Sequence, residues 1–301
     1  MKPKRRKFVV RSVAILLFIM TSLTVCYVAD IRDRDAGKQT GSFEEKQRGI
    51  LKKGTSSGSG MAMRDSDRNL SKDDVSPAAR IKIAILIDDI GYDIRLLREL
   101  IKIDAPLTFA VLPYNLHSVD AARVLHAKGK EVILHLPMEP HTYPDEQPGA
   151  GALFIRMGGE AIRKQIEEDI AAVPFVSGVN NHMGSRFMED EEKLSIVFDE
   201  LKKRNLFFID SRTTPSSKAE AASKTSGIPF ISRKIFIDTK RNYTATLRNL
   251  MNLSGKAYGY PPESVLAIGH PYPDTIRALQ KAIPVLKAKG VVIVPVSDLV
   301  K

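Results

Sequence analysis

From residue 81 onward the chain alternates between short apolar runs and longer stretches in which apolar residues recur every three to four positions. The runs at 82–88, 106–112, 131–136, 175–181, 206–210, 229–237, 264–269 and 290–296 are of strand length, several of them apolar on consecutive positions. That is the pattern of strands buried on both faces. Between them, 94–103, 118–128, 160–173, 191–204, 244–253 and 275–289 carry amphipathic helical spacing. Strands alternating with helices over short connections predict βαβ units and a parallel sheet. Seven or eight units predict an α/β fold, a distorted (β/α) barrel, closed or nearly closed, over 80–301. An open doubly wound sheet is the alternative.

The first eighty residues follow a different pattern. Lys2, Lys4, Arg5, Arg6 and Lys7 precede an uncharged apolar run from Ser12 to Ala29. Residues 1–30 therefore read as a signal peptide or an N-terminal membrane anchor. Bulky Tyr27, three before Ala29, spoils the best cleavage site and favours the anchor. With the basic end held inside, the rest of the chain faces outward from the inner membrane, in the periplasmic or extracytoplasmic space of a bacterial envelope. Residues 31–79 are polar and include Gly54-Thr55-Ser56-Ser57-Gly58-Ser59-Gly60, which reads as a flexible stalk.

Composition narrows the chemistry. The net charge of +11 is concentrated in residues 1–54, which hold 13 basic and 5 acidic side chains. The remainder is only mildly basic and has no Lys/Arg stripe interleaved with aromatics, so a nucleic-acid partner is not expected. Cys26 is the sole cysteine and lies in the N-terminal apolar run, in Leu23-Thr24-Val25-Cys26, a loose match to a lipidation site. An internal disulfide, a thiolate nucleophile and a cysteine-based zinc site are thereby excluded from 80–301.

The residues that carry chemistry cluster at the ends of the apolar runs, where α/β folds gather ligands. Asp88-Asp89 follow Ile83-Ala84-Ile85-Leu86-Ile87. Two adjacent carboxylates at a buried strand end repel one another unless a metal or a shared proton intervenes, and helix capping accounts for one at most. Gly91 lets the backbone turn away. His135 follows Val132-Ile133-Leu134 on a segment stiffened by Pro137 and Pro140, with Glu139 as a supporting or substrate-contacting group. Asn181 and His182 end the fourth run, and Asp210 and Arg212 the fifth. These last two read equally as site residues or as a structural salt bridge. His270, between Gly269 and Pro271, ends the run that barrel closure sets beside the first strand. Carboxylates and imidazoles converging from separate strands predict a metal hydrolase. His141 is a weaker ligand candidate, and His117 and His126 fall on helical spacing as surface or packing residues. Ser185 lies in no nucleophile elbow, and no phosphate-binding glycine fingerprint is present.

Taken in order, Leu86-Ile87-Asp88-Asp89-Ile90-Gly91, Leu107-Thr108-Phe109-Ala110-Val111-Leu112-Pro113, His135-Leu136-Pro137-Met138-Glu139-Pro140, Asn181-His182-Met183-Gly184-Ser185 and Ile268-Gly269-His270-Pro271 resemble the divergent polysaccharide deacetylase (YibQ-like) family of the polysaccharide deacetylase superfamily. The resemblance runs from about Ile81 to the C-terminus. It implies a distorted (β/α) barrel that removes N-acetyl groups from a glycan with a divalent metal, usually Zn2+. It implies Asp88 as catalytic base, Asp89 as metal ligand and His270 as the late catalytic acid. The superfamily's paired loop histidines are missing here, so His135 and His182 would complete the metal set. The Arg-x-Pro-Tyr and Asp-x-x-Asp-Trp motifs are also absent, and the chain has no tryptophan. The alternatives are a non-catalytic glycan- or protein-binding module on the same barrel, and a hydrolase of another class such as a phosphoesterase.

Overall fold

A computed structural model of the chain describes residues 81–254 and 264–301. The leader and stalk expected over 1–30 and 31–79 lie outside the described residues. Nine strands and seven α-helices are described, in the alternating order that the periodicity predicts. They are β1 (Lys82–Ile90), α1 (Ile94–Ile101), β2 (Thr108–Val111), α2 (Ser118–Ala127), β3 (Glu131–Met138), α3 (Gly159–Ala172), β4 (Gly178–Met183), α4 (Glu191–Lys203) and β5 (Phe207–Asp210). There follow α5 (Ala219–Ser226), β6 (Phe230–Ser232), β7 (Ile235–Phe236), α6 (Tyr243–Asn252), β8 (Ser264–Gly269), α7 (Pro273–Ala288) and β9 (Val292–Val294).

All strand pairings are parallel, in the order β6-β5-β4-β3-β2-β1-β8-β7. The result is a curled half-barrel of eight strands. β9 lies off this path and pairs with Lys82–Ala84 of β1, on the edge that β2 takes up further along. The apolar run at 229–237 is two strands rather than one. Arg233 and Lys234 interrupt it, sending β6 to one edge of the sheet and β7 to the other. The distorted barrel is therefore not closed by strand pairing between β6 and β7. The guanidinium of Arg233 bridges that seam. It donates through Nε to Ser211 O (2.6 Å) and through NH2 to Arg212 O (2.9 Å), and lies 3.7 Å over the Phe236 ring.

Strand alternation divides the buried residues into two layers. Ile83, Ile85 and Ile87 pack outward with helix residues such as Leu97 and Leu279, while Ala84, Leu86, Ala110, Ile133, Ile209, Leu266 and Ile268 fill the concave side. That concave parity continues along each strand. Residues 84, 86 and 88 share a side, as do 133 and 135, and 266, 268 and 270. The inward positions are thus apolar at the amino end of the sheet and ionisable at its carboxyl end.

Candidate metal centre

Asp88 follows this parity, and Asp89 breaks it. The pairing of β1 with β2 shifts register between Ile87 and Ile90, and Asp89 sits at φ 58°. The left-handed region is sparsely populated by residues other than glycine, with Asp among the more tolerant. This kink lets two consecutive carboxylates serve one site. Gly91, at φ 127°, then takes the chain away.

Asp89 Oδ1, His135 Nε2 and His182 Nδ1 form a nearly equilateral triangle, with edges of 3.3 Å (Asp89 to His135), 3.2 Å (Asp89 to His182) and 3.1 Å (His135 to His182). A tetrahedral ion with bonds near 2.0–2.1 Å leaves roughly 3.3–3.4 Å between its donors. Asp89 Oδ1 is buried and lacks a well-formed hydrogen bond. Burial disfavours the Asp89 carboxylate, but His135 and His182 outweigh it and hold its pKa far below the usual range. Two imidazole nitrogens and a carboxylate oxygen converging on one point fit a divalent cation.

Asn180 orients the centre. Its Nδ2 donates to Asp88 Oδ1 (2.9 Å) and Ser211 Oγ (3.0 Å), which turns Oδ1 toward His135 Nδ1 at 2.8 Å. His135 must then carry its proton on Nδ1, leaving the Nε2 lone pair directed into the triangle. Asp88 is 2% exposed, with Oδ2 3.8 Å from His135 Nε2. Burial drives its pKa up, partly opposed by His135 and His270, while Asp89 adds to the rise.

His270 stands on the other side of the site. Asp238, 3% exposed, accepts from its backbone N–H (2.7 Å) and from Nδ1 (3.0 Å), and Thr275 Oγ1 donates to the same carboxylate at 2.9 Å. Burial alone would lower the imidazole's pKa. Asp238, with help from Asp88 and Asp89, pushes it up to about 9. The ring is stacked between Phe236 (centroids 5.7 Å apart) and Tyr272 (5.4 Å). With Nδ1 bound to Asp238, Nε2 is the atom left to give a proton.

Other residues marked in the sequence have different places. Glu139 is buried, accepting from Ile155 N (2.7 Å) and Arg186 NH1 (2.9 Å), so it ties the loop after β3 to the loop after β4. Asn181, one residue out of parity with Asn180, holds the loop after β5 by accepting from Ser211 N (2.8 Å) and donating to Thr213 Oγ1 (3.2 Å). Asp210 is fully buried and accepts from Arg212 N (2.7 Å) and Ser217 Oγ (2.8 Å). It belongs to neither the triangle nor the His270 pair, and Arg212 contributes its backbone N–H rather than a side-chain clamp. His141 pairs with Glu189 at 3.2 Å, outside the triangle. Sequence reading marked the asparagine pair but took Asn181 rather than Asn180 as the site residue, and it passed over Asp238 and Arg233. Asp238 carried the same signal as Asp88, a carboxylate just past an apolar run.

The half-barrel of parallel strands thus carries an Asp-His-His cluster at the carboxyl end of its sheet. Residues 85–300 match the divergent polysaccharide deacetylase family, and the chain belongs to it. The chain is 34% identical to YibQ of Escherichia coli over 212 residues, 69% of this chain and 64% of that protein. It therefore matches somewhat less than two thirds of that relative's length. A Haemophilus influenzae protein is 28% identical over 202 residues, covering 67% of this chain and 71% of its own. The crystal structure of an Agrobacterium tumefaciens protein superposes with a TM-score of 0.68 at 22% identity, over 74% of this chain and 91% of that one, which supports the fold.

Proposed function

We propose that this protein is a metal-dependent hydrolase that removes N-acetyl groups from a glycan of the bacterial cell envelope, acting on the outer side of the inner membrane. The observation that carries the reading is the Asp89–His135–His182 triangle, whose edges suit a tetrahedral ion, flanked by the Asp88 carboxyl and the Asp238-paired His270. Asp89, His135 and His182 would hold the ion, for which the two-imidazole, one-carboxylate set favours Zn2+. A bound ion would supply Lewis acidity toward an acetamide oxygen and lower the pKa of water at the site.

The chain's own residues supply the proton transfers. Asp88 takes a proton from the attacking water as its oxygen bonds to the carbonyl carbon. Asn180 holds Asp88 Oδ1, so Oδ2 is the oxygen free to receive it. His270 gives the Nε2 proton to the nitrogen as the C–N bond breaks, and the products are acetate and a free amine. Asp238 keeps His270 charged for that step. Acetate release from N-acetylated oligosaccharides, measured with the metal-loaded protein and after chelation, tests the reading. Chelator-sensitive release that disappears in Asp88→Asn supports it, and no release from the metal-loaded protein overturns it.

A further inference from the structure

Asp238 sets the charge of His270 but does not by itself fix where the ring points. The contact at Nδ1 is 3.0 Å long, and a hydrogen bond tolerates about 30° of bend before it weakens. A ring held at one edge can rock through that range, and the motion is largest at the far edge, where Nε2 lies. Proton transfer does not tolerate such motion, since a displacement of about 1 Å at a reacting atom costs about 100-fold in rate. Fixing Nε2 takes contacts on the faces of the ring.

Those contacts belong to a row of side chains that runs Arg233, Phe236, His270, Tyr272, Arg241. The His270 plane is 27° from that of Phe236 and 24° from that of Tyr272, offset stacking in both cases. Each aromatic ring carries a guanidinium in turn, with Arg233 Cζ 3.7 Å from the Phe236 centroid and Arg241 Cζ 4.6 Å from that of Tyr272. The backbone holds the members in place. Phe236 pairs with Ile268 of β8, two residues before His270. Tyr272 N donates to His270 O at 2.8 Å, and Pro273 then opens α7. Arg233 is tied to the Ser211 and Arg212 carbonyls, and exposed Arg241 precedes α6.

The guanidiniums decide what the rings do to the imidazole. An aromatic face attracts a cation, so two bare rings would favour the imidazolium. A ring that already faces a guanidinium attracts a second cation less, because the two positive groups repel. The remaining charges that act on His270 are Asp238, just past β7, and Asp88 and Asp89, on β1. Charge is thus set by carboxylates, and the rings are left to set direction.

We infer that Phe236 and Tyr272, backed by Arg233 and Arg241, are positioning residues that fix the direction of His270 Nε2 without setting its charge. The inference rests on the reading of His270 as the proton donor.

The test follows acetate release across pH by the metal-loaded full chain, for the parent, Tyr272→Leu, Tyr272→Phe and Phe236→Leu, with histidine-selective NMR and melting temperatures on the same proteins. Tyr272→Leu should lower kcat about 10- to 100-fold at unchanged KM. The fall in rate at high pH should come where it does in the parent, and Tyr272→Phe, which keeps the ring, should keep the parent rate. The His270 ring protons, shielded by ring currents in the parent, should lose shielding in each folded leucine variant while their titration midpoint stays where it was. A parent-like kcat in Tyr272→Leu, or a loss accompanied by a moved midpoint, overturns the inference. No acetate release from the parent removes the hydrolase and leaves the NMR to decide the row. Lost shielding at an unmoved midpoint then retains it as an orienting device, and unchanged shielding or a moved midpoint overturns it.

Discussion

The two sides of the site are built differently. The metal side stands on β1, β3 and β4, in the middle of the sheet, and one buried amide, Asn180, bonds both Asp88 and His135. The acid side stands at the seam. His270 follows β8, but the carboxylate that orients it follows β7, a two-residue edge strand. No strand pairing joins β7 to β6, and the Arg233 guanidinium, hydrogen-bonded to one loop and stacked on Phe236, spans the gap instead. Metal ligands need fixed spacing, which ladder hydrogen bonds supply. A proton donor needs a raised pKa and a defined tautomer, which one buried carboxylate supplies even from an edge. The sides should therefore fail separately, apart from the charge that Asp88 and Asp89 lend His270.

The largest separation is expected from Asp88→Asn. Loss of a positioned base costs about 100- to 10,000-fold in turnover, with metal content unchanged. A fall in both together would mean that Asp88 belongs to the ligand set. Asn180→Ala should act in the opposite sense, weakening metal affinity by about 10- to 100-fold through the freed His135 ring. Competition with a chromophoric chelator reads this, and unchanged affinity would show that the amide does not orient the ligand.

On the acid side, Asp238→Asn should bring the His270 pKa down from about 9 toward its ordinary 6.5. His270 is protonated below its pKa, so turnover that needs its proton falls as pH rises through about 9 in the parent protein, and at lower pH in the variant. The same pair contributes stability that is full below about 6.5 and lost as pH rises through about 9, because the folded state raises the pKa. Titration of His270 by NMR checks the shift directly, and identical titration curves would remove Asp238 from the account. The smallest effect belongs to Arg233→Ala. Leaving the Ser211 and Arg212 carbonyls without their donor should cost about 1–3 kcal/mol in denaturant unfolding, with metal binding intact.

Much of the site was legible because strand ends are legible. A charged or imidazole side chain just past an apolar run marks the carboxyl end of a buried strand; Asp88, Asp89, His182 and His270 stand there, while His135 lies within β3, three residues before its end. What the pattern does not contain is register. Asn180 and Asn181 differ by one position, and only the strand's pairing shows that the first faces the centre and the second the loop after β5. Asp89 follows no alternation, because a local register shift and a positive φ place it. Asp238 stood just past the run read as 229–237, where the same reasoning marks it, but only the topology sets that run's end beside His270. Arg233 looks like an ordinary polar interruption until the topology shows a seam there.

Elemental analysis of the full chain, beside an Asp89→Ala, His135→Ala, His182→Ala variant, tests the central claim most directly. The account predicts one tightly held divalent ion per chain after exposure to zinc and exhaustive dialysis, absent from a variant that remains folded. A folded parent protein that retains no ion would contradict it and leave the triangle as part of a binding surface rather than a hydrolytic centre.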